Sequence, residues 1–183
     1  MTNTYGIILL LLASLSANLQ DRQPGGACRL ESKYDRFADM TTVQCDLVES
    51  VASPARLTVQ AKASFRGKEP NETAKFWLSL SSNRGGATRR TRPLFREATT
   101  LYLSTDSARL EIPVKDYGSD FYELVHSFSE SASAEIGRED LRKLLKAKSL
   151  KGEWGGVEFN FSDAALVSLR DFLSRQIFAA NGR

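Results

Sequence analysis

The residues best placed to do chemistry are two cysteines, five clustered arginines and one histidine. Cys28 and Cys45 are the only cysteines and His126 the only histidine. Tetrahedral zinc takes four ligands, usually in closely paired spacings. One copy of this chain therefore cannot assemble a Cys/His structural zinc site. A thioredoxin-like redox pair needs two intervening residues, whereas sixteen separate these cysteines. In an exported chain the remaining reading is a disulfide. Closing such a loop stabilises a fold by roughly 3 kcal/mol in the chain-entropy account. Without export, two buried thiols are the favoured alternative. A lipid-modified Cys28 fits less well. Gly26 and Ala27 are suitably small, but Gly25 stands where a leucine is expected, and the apolar run ends ten residues earlier.

The arginines are Arg84, Arg89, Arg90, Arg92 and Arg96, with no acid before Glu97. The formal net charge is +3, so the rest of the chain is net −2. Planar guanidinium groups bind phosphate, sulfate or carboxylate through two parallel hydrogen bonds. The plainer reading, and the preferred one, is a solvated loop whose charge keeps the protein soluble. No aromatic row interleaves these arginines, and the net charge is small, so no specific nucleic acid is expected. A second basic segment, residues 138–151, reads as the solvated face of a helix.

His126 reads as a packed or rim residue beside Tyr122, Leu124 and Phe128 on one strand face. A scattered Ser-His-Asp arrangement would leave no sequence signature. The chain lacks a G-x-S-x-G elbow, a P-loop, a G-x-G-x-x-G fingerprint, H-E-x-x-H and a calcium loop. No metal or cofactor is expected. Trp77 and Trp154 could stack on sugars, but burial is the preferred reading, with Trp77 on a second face beneath a helix. Asn71-Glu72-Thr73 and Asn160-Phe161-Ser162 match the glycosylation sequon, which matters only in a eukaryotic secretory path.

The elements that must position these groups are mostly strands. Apolar residues alternate at Val43–Leu47, Leu57–Phe65, Phe76–Leu80, Leu101–Leu103 and Leu110–Val114, the period of a half-buried antiparallel strand. The alternation places Cys45 inward. Pro54 interrupts, and Pro113 argues for an edge strand. After an Asp116-Tyr117-Gly118 turn, a further strand is expected from Asp120 to Phe128, running on towards Ile136. Leu141, Leu144 and Leu145 mark a helix over 138–148. Val157, Phe159 and Phe161 return to strand, with a turn or bulge at Gly152, Gly155 and Gly156. Ser162 caps a last helix whose stripe is Leu166, Leu169, Phe172, Leu173 and Ile177, ending at Asn181-Gly182.

Ile7 to Ala17 is an apolar run of eleven residues. A membrane-spanning helix needs about 20, while a secretory signal has an apolar region of about 7–15. Residues 1–17 therefore read as a signal peptide, although no Lys or Arg precedes the run. Residues 18–30 read as a flexible lead-in and 31–183 as a single β-rich domain. The hydrophobic share of 42% allows a real core.

The stretch YDRFADMTTV, Tyr34 to Val43, resembles the opening of uncharacterised secreted bacterial β-rich domains. Their short basic helix, glycine-containing strand and capped terminal helix are similar to the segments here that end in Leu169–Phe172. The resemblance implies export and a β-rich fold, and no activity. The expected fold is mainly β (α+β). It is an antiparallel β-sandwich or open barrel of about seven or eight strands, with a short helix and a C-terminal helix packed on it. The expected function is a secreted or periplasmic, non-catalytic module. It would contact an anionic polymer or the cell-envelope surface through the arginine loop, with no transmembrane segment after signal cleavage. The rival readings are a secreted hydrolase with a scattered active site and a structural subunit of an envelope assembly.

Overall fold

Alternating side chains sort onto two faces of a strand, and here one face is apolar and the other wet. The computed structural model describes residues 28, 30–52 and 55–178. Among the described residues the strands are β1 (Glu31–Asp35), β2 (Met40–Ala52), β3 (Ala55–Arg66), β4 (Lys75–Arg84), β5 (Thr100–Thr105), β6 (Arg109–Tyr122), β7 (Ser127–Glu135), β8 (Leu150–Trp154) and β9 (Val157–Asn160). The helices are α1 (Arg138–Lys146) and α2 (Asp163–Leu173), and α2 runs on into a π turn, Ser174–Phe178. All nine strands join in one antiparallel sheet, ordered β1-β2-β3-β4-β7-β6-β5-β8-β9. The sheet curls until β9 approaches β2, but it is not closed into a barrel. The fold is therefore mainly β with a packed C-terminal helix, as expected.

The inner face carries the core. Leu57, Val59, Ala61, Ala63 and Phe65 of β3 and Phe76, Leu78 and Leu80 of β4 are buried, while Thr58, Gln60, Lys62, Trp77 and Ser79 face outward. Helix α2 lies against this face. Its Leu166, Leu169, Phe172 and Leu173, with Ile177 beyond, are all buried. The Phe172 ring meets Phe76 edge-on, with centroids 5.9 Å apart. The helix starts at Ser162, whose Oγ accepts from the Ala165 N–H at 3.2 Å. Gly155 and Gly156, at φ +57° and +78°, turn β8 into β9. Two successive positive φ values suit a tight hairpin, and glycine supplies them without strain.

Cys45 is buried on the inner face of β2 and is joined to Cys28 in a disulfide, with Cα atoms 5.6 Å apart. The Cys28 N–H donates to Ser168 Oγ at 3.2 Å, which ties the same residue to α2. The joined sulfur leaves no thiol on Cys28 for lipid attachment. The disulfide is consistent with an extracellular or periplasmic setting. Among the described residues, no helix is long and apolar enough to cross a membrane. The apolar leader, the lead-in before Cys28, Pro54 and Asn181-Gly182 lie outside the described residues.

Two expectations fail at β6. Asp116-Tyr117-Gly118 does not end a strand. It is a bulge, with Asp116 at φ +53° and the register shifting between Lys115 and Gly118. β6 therefore runs on to Tyr122, and a 3₁₀ turn, Glu123–Val125, separates it from β7. Nor is β6 an edge strand. It pairs with β5 from Arg109 to Pro113 and with β7 from Val114 onward. The Val114 N–H bonds to the Thr99 carbonyl on the β5 side. Successive N–H groups alternate sides, so position 113 points to the other side, where pairing with β7 has not yet begun. Pro113 thus occupies a local edge inside an internal strand.

Candidate functional site

The inward parity of β4 continues past its apolar residues to Ser82 and Arg84, and that of β7 includes Phe128 and Glu130. A charged pair is thereby placed at one end of the core. Glu130 is fully buried and Arg84 is nearly so, with Nη2 and Oε2 3.1 Å apart. Arg84 also lies over the Phe128 ring, 5.0 Å from its centroid. The Glu130 carboxylate accepts three further hydrogen bonds: from the Leu94 N–H at 3.1 Å, the Phe95 N–H at 2.9 Å and the Tyr117 hydroxyl at 2.8 Å. Burial, and then the bond to Glu130, raises the Tyr117 phenol above its ordinary value of 10.0.

These bonds fix the arginine segment. It leaves β4, passes over Glu130 and reaches β5, which lies beyond β7 and β6 in the sheet. Phe95 is buried from it and stacks on Trp154 with centroids 4.1 Å apart. Trp154 Nε1 donates to the Ala98 carbonyl at 3.1 Å. Trp154 is thus core and presents no sugar platform. Trp77 is half-buried on the outer face, between Lys62 and Glu135 in register, and not beneath α2.

The five arginines have three fates. Arg84 is spent on Glu130, and its Nη2 also donates to the Arg92 carbonyl at 2.7 Å. Arg89 pairs with Glu123 in the 3₁₀ turn at 2.7 Å, both side chains being exposed. Arg90, Arg92 and Arg96 are exposed and have no ion pair among the described residues. Arg92, Pro93, Leu94, Arg96 and Glu97 line an open depression of about 450 Å³. A larger groove of about 540 Å³ lies beside β1 and the π turn, between Phe65, Lys68 and Arg175, and holds none of the five. The basic helix α1 follows the far end of β7 from the loop. Among the described residues no hydrogen bond or ion pair joins α1 to Arg89, Arg90, Arg92 or Arg96; its Lys143 pairs with Glu139 and Asp140, and its Arg138 with the Glu72 carbonyl.

His126 departs from its expected strand position. It is an exposed residue at φ +46° that closes the 3₁₀ turn, and its carbonyl accepts from the Ala87 N–H at 2.7 Å. Its side chain makes no hydrogen bond or ion pair among the described residues. No cluster of three or more His, Cys, Asp or Glu able to hold a metal occurs among the described residues.

The sequence reading passed over Glu130 and the apolar turn at Leu124-Val125. The first was detectable as a charge at an inward position between Phe128 and Ala132. A comparison of the chain with family models, curated proteins and solved structures finds no match.

Proposed function

We propose that this protein is an exported binding module that holds anionic groups on its arginine loop without transforming them. The observation that carries this reading is the anchoring of the loop by Glu130. A solvated loop would have to lose conformational entropy to bind. Here the backbone is already held at Leu94 and Phe95. Arg90, Arg92 and Arg96 project from it with their guanidinium groups uncommitted, and two of them line the open depression. The disulfide supports the export part of the reading, since such bonds persist in oxidising compartments.

The test is binding to a soluble polyanion, polyphosphate of defined length, across a salt series. Affinity should fall steeply with salt, and each arginine replaced by glutamine should flatten the log–log slope by about one. If Arg90→Gln/Arg92→Gln/Arg96→Gln leaves affinity and slope unchanged, the loop is not the binding surface.

A further inference from the structure

The turn between β6 and β7 presents apolar side chains to water. Leu124 is 99% exposed, Val125 68% and Tyr122 52%. Isolated exposed apolar residues are ordinary, but here three of five consecutive residues project from one hairpin tip. The tip is also built, not loose. His126 closes it in the left-handed region, and the arginine loop holds it at two points, through the Ala87–His126 backbone bond and the Arg89–Glu123 pair. Apolar tip and arginine loop are therefore one end of the molecule.

We infer that this end docks on an anionic lipid bilayer, with Leu124 and Val125 entering the interface and the loop arginines meeting headgroup phosphates. The inference rests on the anion-binding reading above and names the source of the anions. A soluble polyanion offers nothing to a leucine and a valine. A bilayer offers both an acyl boundary and phosphates a few ångströms above it. Tyr122, at the base of the tip, has the amphipathic ring favoured at that depth. The local charge is only moderately positive. Arg89 is matched by Glu123, and the arginine segment ends in the acid Glu97. The apolar residues must therefore supply a substantial share of the affinity.

The test is co-sedimentation of the exported protein with vesicles of phosphatidylglycerol and phosphatidylcholine, beside vesicles of phosphatidylcholine alone and soluble polyphosphate. Mixed vesicles should bind at least about tenfold more protein than neutral ones. Leu124→Ser/Val125→Ser should lower vesicle binding by about tenfold or more, the scale expected for burying one or two aliphatic side chains. The same variant should leave polyphosphate binding unchanged. Both positions are exposed, so the variant should fold, which circular dichroism checks. Phe37→Ser, in the β1–β2 turn at the opposite end and also exposed, should bind vesicles as the parent does. Polyphosphate binding without vesicle binding overturns the lipid inference and leaves the anion-binding reading standing. Binding to neither overturns both. Equal loss in Phe37→Ser, or a dimer abolished by Leu124→Ser/Val125→Ser, also overturns the lipid inference.

Discussion

Glu130 holds the arginine loop by accepting from Arg84, Tyr117 and two backbone N–H groups. Replacing one partner of a buried ion pair costs about 3–5 kcal/mol, because the other charge is left uncompensated. Glu130→Gln should lower the unfolding midpoint in urea by a corresponding amount. It should also release the loop, so that trypsin cuts at Arg89 to Arg96 much faster than in the parent. Equal cleavage rates would show that Glu130 does not hold the segment. Tyr117 gives a pH prediction. Its folded-state value is raised above 10.0, so the folded protein holds the phenolic proton more tightly than the unfolded chain. That stabilisation is complete below pH 10.0 and is lost as pH rises through the folded-state value. Tyr117→Phe should remove this part of the alkaline fall in stability, and one phenol that ionises above the ordinary range should vanish from the ultraviolet titration. At this scale the sequence showed the arginines but not their division of labour. Arg84 and Arg90 look alike in a charge run. Only the strand pairing that sets Arg84 against Phe128, with Glu130 two residues further along β7, separates a structural arginine from an available one.

Among the elements, β8 and β9 are the most sensitive to a small change. Phe159 lies over Gly152 across the hairpin, where a Cβ would run into its ring. Gly152→Ala should cost about 1–3 kcal/mol through overpacking, read as a shift in the urea midpoint, while Gly156→Ala should act through backbone strain alone. The strands with clean alternation, β3, β4 and β5, were legible because one face is core and the other solvent. The stripe of α2 was legible because its apolar spacing fits a single helical face. The passage from β6 to β7 was not. A bulge and a turn use the same residue types, and Asp116-Tyr117-Gly118 reads equally as either. Misplacing that bulge carried Leu124, Val125 and His126 onto a strand, where an exposed tip could not be seen.

Across the whole molecule, the disulfide closes a sequence separation of 17 residues. Its removal should cost roughly 3 kcal/mol. Cys28→Ala/Cys45→Ala should show this as a lower thermal midpoint, and a reductant should bring the parent to the same value. An unchanged midpoint would mean that the backbone bond from residue 28 to Ser168 and core packing suffice to seat that residue.

The two sides of β4 differ sharply. Phe76, Leu78 and Leu80 lie on one, and Ser79 and Ser81 on the other, opposite Ser133 and Ser131 of β7. During folding, a strand misaligned by a single step would turn its hydroxyls into the oil and its leucines into water. Such a state gains almost nothing from collapse. The alternation along β4 thereby specifies its register against both neighbours.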